Sequence, residues 1–225
     1  MNLWNYFLNN RDRKITKWTQ YFPVYEKHFA RWQNQPIKFL EIGVLNGGSL
    51  QMWQKYFGSY AKIVGIDIDP RCKNYESPGI DIRIGDQSDP KFLQSLIDEF
   101  GPFDVVLDDG SHQVAHVHKT FEFLYPTVTK NGTYLIEDLH AHYWDSHGGS
   151  LTEPNSMINI SKNLIDKLNA DHTRGQVTPD EFTKTTQSIS FYDSMVVFDK
   201  GEIGWKIPME TGVADAGGES FVIRT

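Results

Sequence analysis

Between residues 37 and 136 short apolar runs alternate with longer segments of helical period, and no other feature constrains the fold of this chain as much. The runs cover 37–44, 63–68, 80–84, 103–107 and 133–136, while 49–57, 89–100 and 116–124 carry helical spacing. Near-continuous apolar strands separated by helices are the pattern of βαβ units, whose parallel sheet is covered on both faces. Pro90 stands where a first helical turn tolerates it. Two further strand-like runs, 188–191 and 195–200, are separated by Tyr192, Asp193 and Ser194 and predict an antiparallel hairpin closing the sheet edge. The expectation is a doubly wound α/β fold with a seven-stranded, mostly parallel, Rossmann-like sheet.

The flanking segments are less regular. Residues 1–35 carry Trp4, Tyr6, Phe7, Trp18, Tyr21, Phe22, Phe29 and Trp32 at loose amphipathic spacing, which predicts a helical cap packed on the sheet. Residues 145–187 are polar and interrupted by Gly148, Gly149, Pro154 and Pro179, with one helix expected over 155–168. This segment reads either as a lid over the site or as an ordinary variable connection. The whole chain, 1–225, is expected to form one domain: cap 1–35, parallel-sheet half 36–144, insertion 145–187, and hairpin with tail 188–225.

A net charge of −7 without a basic run argues against a nucleic-acid partner. Cys72 is the only cysteine, which excludes an intrachain disulfide and a thiolate metal cluster. No stretch approaches the roughly twenty apolar residues of a membrane span, so a cytoplasmic protein without membrane association is expected. A homo-oligomer is left open.

Ligands of open parallel sheets bind beyond the carboxyl ends of the strands, where the strand order reverses. The first run ends in Glu41-Ile42-Gly43-Val44-Leu45-Asn46-Gly47-Gly48-Ser49, a glycine-rich loop entering a helix. A tight turn that needs small residues is the competing reading. Gly43, Gly47 and Gly48 lack the G-x-G-x-x-G spacing that cradles a pyrophosphate, which favours a ligand without one. Asp67 ends the second run, where a carboxylate accepts ribose hydroxyls, and Asp86-Gln87 follow the third, where they suit an adenine edge.

The fourth run ends in Asp108-Asp109-Gly110-Ser111-His112 and the fifth in Glu137-Asp138-Leu139-His140. In the usual order these strands are neighbours, so four carboxylates meet at one edge. Two like charges about 5 Å apart repel by roughly 3 kcal/mol at an effective dielectric of 20, and a bound cation is the simplest compensation. Oxygen donors without thiolate point to Mg²⁺, with Mn²⁺ or Ca²⁺ as substitutes. Helix capping by Asp108 or Asp138 is the competing reading. His112 is placed for a general base, while His116, His118, His140 and His142 read as outlying positions.

Glu41-x-Gly43-x-x-x-Gly47, Asp67 and Gly85-Asp86, in this order, resemble the class I S-adenosylmethionine-dependent methyltransferases over about residues 36–200. The resemblance implies that Glu41, Gly43, Asn46, Gly47, Ser49, Asp67, Asp86, Gln87 and Asp108 surround S-adenosylmethionine. Asp108 to His112 with Glu137, Asp138, Tyr143 and Trp144 is similar to the Mg²⁺-dependent macrolide-sugar O-methyltransferases of the mycinamicin and macrocin type. That likeness implies Mg²⁺ on Asp109, Glu137 and Asp138, His112 as base, a small and glycosylated acceptor, and acceptor contacts from His140, Tyr143 and Trp144. Two other classes compete: a non-haem iron oxygenase built on Asp109, His112 and His116, and a nucleoside-binding module without turnover.

Overall fold

A computed structural model describes residues 2–204 and 206–212. Seven strands form one sheet: β1 (Lys38–Ile42), β2 (Lys62–Asp67), β3 (Ile80–Ile84), β4 (Val105–Asp108), β5 (Thr133–Ile136), β6 (Thr186–Tyr192) and β7 (Met195–Lys200). Their order is β3-β2-β1-β4-β5-β7-β6. The first five are parallel, and β7 runs antiparallel to both β5 and β6. The order reverses between β1 and β4, which opens the ligand crevice above their carboxyl ends.

The helices are α1 (Leu3–Leu8), α2 (Phe22–Phe29), α3 (Gly48–Phe57), α4 (Pro90–Phe100), α5 (Val114–Thr127), α6 (Met157–Leu168) and α7 (Glu181–Thr185). Asp89 caps α4 by accepting from the Lys91 N–H, ahead of Pro90 in the first turn. Strand parity divides the core in two. Phe39, Ile63, Ile82, Val105, Leu107 and Leu135 pack with α1, α2 and α3 on one face. Leu40, Val64, Val106, Tyr134, Ile136 and Phe198 pack with α4, α5 and α6 on the other. Trp53 of α3, fully buried, meets Tyr25, Phe29, Phe39 and Phe57 at ring separations of 5.1 to 5.9 Å. Burying a large apolar side chain contributes about 2 kcal/mol, so this aromatic nest anchors the N-terminal elements to β1.

Several elements differ from expectation. β1 ends at Ile42 rather than 44 because Gly43 turns to φ +94°. α5 begins two residues early and carries Pro126 in its last turn. β6 is longer than the apolar run, with a register shift between Thr186 and Ser188. The aromatic N-terminus is helical only in part: residues 10–18 form no helix and run as a strap over the crevice. Within 145–187, α6 packs against α5, α7 and β6. The tail beyond 212 lies outside the described residues. Among the described residues no helix is long and apolar enough to cross a membrane.

Candidate active site

Two adjoining cavities occupy the crevice and share Gly43, Asp67 and Gly110 as walls. The first, about 300 Å³, is lined by the strap residues Lys14 to Lys17, the loop from Gly43 to Ser49, and Asp109, His112 and Asp138. The second, about 320 Å³, is lined by Ile66, Ile68, Asp86, Gln87, Ser111 and His116 among others. Together they form one cleft of the size and mixed polarity that suits a nucleoside carrying an amino-acid arm.

Backbone conformation at the mouth is unusual. Leu45, His112 and Asp138 all have positive φ, between 48° and 55°, and all three line the first cavity. Non-glycine residues adopt this region at a cost of roughly 1–2 kcal/mol and do so where the surroundings over-determine them. Gly43 allows the closest approach, since a Cβ there would lie 2.1 Å from the Asp109 carbonyl oxygen. The tips of β1 and β4 are thereby pressed together.

Asp67 fastens the loop. Its Oδ2 accepts from the N–H groups of Val44 and Leu45 at 2.8 and 3.1 Å, and its Oδ1 accepts from Asp69 at 2.9 Å. Asp67, Gly43, Asn46 and Ser49 line the first cavity, and Asp67, Asp86 and Gln87 the second. The Ser88 N–H, donating to Asp86, holds that carboxyl below its ordinary value. Gln87 lines the second cavity, but its amide group is engaged within the protein. Its amide donates to Asp108 and to Thr120 and accepts from the Ser111 N–H at 2.7 Å, so both ends brace the β4 tip.

Neither Glu41 nor Asp108 lines the cleft. Glu41 is fully buried and accepts from Ser49 Oγ at 2.8 Å and Trp53 Nε1 at 3.1 Å. Asp108 is buried between Gln87, the Gly110 N–H and Tyr134. Burial pushes both carboxyls up to about 7, against the hydrogen bonds that pull them down. Gly47, at φ +68°, faces Tyr75 and Arg13 rather than the cleft.

At the chemical end, Asp109, His112 and Asp138 each offer a ligand atom within 4.8 Å of the others. Two oxygen donors and an imidazole at that separation fit a divalent cation. His112 Nε2 lies 3.6 Å from Asp138 Oδ2, and the Tyr21 hydroxyl donates to Asp138 Oδ1 at 2.6 Å. Glu137 stands apart from this trio. It is 3% exposed and receives Tyr25 Oη–H and the Lys17 ammonium, the latter at 2.9 Å. Burial raises its pKa while Lys17 lowers it.

Lys17 is the residue that sequence reasoning missed. Its Nζ is 2.5 Å from Asp109 Oδ2, 2.9 Å from Glu137 Oε2 and 3.6 Å from Glu41 Oε1, with 2% of the side chain exposed. Burial alone would lower its pKa, but the three carboxylates outweigh that and hold it well above the ordinary lysine value. We read the group as an ammonium. Parity supplied the signal: Glu41, Leu107 and Leu135 sit in register across β1, β4 and β5, so Glu41, Asp109 and Glu137 emerge on one face. That face is the one covered by the N-terminal segment, from which a cation had to come.

His140 and Trp144, two of the three residues expected to contact an acceptor, share an aromatic cluster. His140 Nδ1 contacts Ser194 Oγ at 2.5 Å, and its ring meets Trp18 edge-on at 5.6 Å and Trp144 at 4.9 Å. Tyr143 and Trp144 are about half exposed. His116 does not join Asp109 and His112; it contacts Ser111 Oγ at 3.1 Å in the second cavity, so the two-histidine iron face is not assembled.

No family model matches the chain. It is 35% identical over 196 residues, 82% of its length, to an 8-demethyl-8-(2-methoxy-alpha-L-rhamnosyl)-tetracenomycin-C 3'-O-methyltransferase of Streptomyces olivaceus, of which it covers 50%. It is 39% identical over 156 residues, 65% of its length, to the demethylmacrocin O-methyltransferase of Streptomyces fradiae, covering 39% of that protein. A solved structure of the MycE methyltransferase from the mycinamycin biosynthetic pathway in complex with Mg, SAH and mycinamycin VI superposes with a TM-score of 0.78 at 30% identity, over 92% of this chain and 56% of that one. The chain thus spans about half the length of the curated relatives it matches. By strand order and by these likenesses, the chain has the fold of the class I S-adenosylmethionine-dependent methyltransferases, and the relatives it resembles are named O-methyltransferases.

Proposed function

We propose that this chain carries out S-adenosylmethionine-dependent, divalent-cation-assisted O-methylation of a hydroxyl on a small, sugar-bearing acceptor. The observation that carries the reading is that Asp109, His112 and Asp138 open into the same cavity as the Gly43 to Ser49 loop and Asp67. When bound, the cofactor supplies an activated methyl group and the cation, held by Asp109 and Asp138, lowers the pKa of a neighbouring hydroxyl. The likeness to named sugar O-methyltransferases, and to a structure with Mg and SAH, supports both groups. Oxygen ligation suits Mg²⁺, with Mn²⁺ and Ca²⁺ as weaker substitutes.

The chain's own residues do the rest. Asp67 holds the loop that walls the cofactor's amino-acid arm, and Asp86 at the far cavity faces the base. His112 takes the hydroxyl proton at Nε2, and Asp138, 3.6 Å away, stabilises the imidazolium that results. Tyr21 fixes that carboxylate. The strap closes one side of the cavity against water, which strengthens every charge interaction inside it. His140, Tyr143 and Trp144 meet the acceptor, and their rings suit an apolar sugar face or a planar aglycone.

The test is transfer of labelled methyl from S-adenosylmethionine to a panel of glycosylated and non-glycosylated acceptors, with Mg²⁺ and with chelator. Transfer to glycosylated acceptors that chelator abolishes is expected. Equal transfer in chelator would refute the role of the cation, and labelling of aglycones alone would refute the sugar.

A further inference from the structure

Lys17 has no part in the reaction just described, yet it is the most completely enclosed cation of the site. Its neighbours Lys14, Ile15 and Thr16 line the first cavity, so the residue that enters the acid cluster also anchors the wall of the cofactor site. The strap is pinned on both sides of it. Upstream, Arg13 Nη1 donates to the Tyr75 carbonyl at 2.6 Å, and a Cβ on Gly48 would lie 2.3 Å from the Lys14 carbonyl oxygen. Downstream, Tyr21 bonds Asp138. Lys17 is therefore the one strap residue that touches Glu41, Asp109 and Glu137.

An ammonium and a divalent cation want the same thing from such a cluster. Three clustered carboxylates, two of them buried, repel one another strongly unless a cation stands among them. Asp109 belongs to both arrangements: it pairs with Lys17 through Oδ2 and is one of the trio that fits a cation. Two cations sharing one carboxylate repel, so each weakens the other there.

We propose that Lys17 is an internal counter-cation of the acid cluster, holding Glu41, Asp109 and Glu137 together in the metal-free chain and competing with a divalent cation for Asp109. Loading of the cation is thereby coupled to the strap that walls the cofactor cavity. Lys17 acts as a positioning residue and touches no reacting atom. The inference rests on the cation-assisted reading above.

The experiment is Mn²⁺ binding, followed by calorimetry without cofactor or acceptor, to the wild-type chain, Lys17→Met and Lys17→Arg. Lys17→Met is expected to bind Mn²⁺ at least tenfold more tightly, and Lys17→Arg within threefold of wild type. Equal or weaker binding by Lys17→Met overturns the competition while leaving the cation reading intact. Absence of Mn²⁺ binding to the wild-type chain overturns the cation reading itself, and the inference with it. A measurement on the wild type alone guards against a Lys17→Met chain that does not fold. Labelling of Lys17 by an amine-reactive ester, read by peptide mass spectrometry, is expected to rise at least threefold on saturation with Mg²⁺. Unchanged labelling overturns the coupling of the cation to the strap.

Discussion

Gly43→Ala tests the close approach of β1 and β4 on which the site is built. Three costs add. The residue sits at φ +94°, and an L side chain in the positive-φ region costs about 1 kcal/mol. The new Cβ would stand 2.1 Å from the Asp109 carbonyl oxygen where ordinary contact begins at 3.4 Å, so Asp109 must retreat by roughly 1.3 Å. That retreat loosens the bond from the Asp109 N–H to the Ile42 carbonyl, now 3.0 Å, worth about 1 kcal/mol, and strains the tip by about as much again. The expected loss is about 3 kcal/mol, or a Tm lower by roughly 6–12 °C for a domain of this length. Because Asp109 moves away from Asp138 and His112, Mn²⁺ affinity falls at least tenfold. Urea denaturation without metal and calorimetric titration read the two effects separately. A variant within 0.5 kcal/mol of wild type, with Mn²⁺ affinity unchanged, refutes the pressed-together tips.

His112→Ala should lower turnover by about two to four orders of magnitude, the usual range for a lost general base. Its affinity for S-adenosylhomocysteine should stay within twofold, and full activity would remove the proposed base. His142 gives a pH prediction. It is buried, its Nδ1 accepts from the Met157 N–H at 3.0 Å at the start of α6, and burial pushes its pKa down to about 4, with His112 and His147 contributing. The unfolded chain binds this proton near pH 6.5, the folded chain only near 4, so the stability present above pH 6.5 is lost as pH falls towards 4. Between pH 8 and pH 5 wild type should lose about 2 kcal/mol more than His142→Asn, measured by urea denaturation; identical losses would contradict the assignment.

The parallel sheet was legible because β1 to β5 are apolar on both faces and must be covered twice. The strand-end acids were legible because a parallel sheet delivers ligand-facing residues there. What sequence order could not sort was which acids face the cleft. Asp108 and Asp109 are adjacent and chemically equal, yet parity sends Asp108 against Gln87, which also bonds Thr120 of α5, and Asp109 towards the strap. Glu137 is drawn inward by Tyr25 and Lys17, a donor pair contributed from 112 and 120 residues away. No local spacing announces such partners. Lys17 lies in an irregular segment between α1 and α2, where neither helical nor strand period marks it, and only the charge balance of the shared face calls for it.

Crystals grown with S-adenosylhomocysteine and Mn²⁺, with data collected at the manganese absorption edge, test the central claim most directly. One anomalous peak is expected between the Asp109 and Asp138 carboxylates, with the nucleoside seated in the cleft between the Gly43 to Ser49 loop and Asp86. A nucleoside bound there with no peak at those carboxylates, or a peak elsewhere, would contradict that claim.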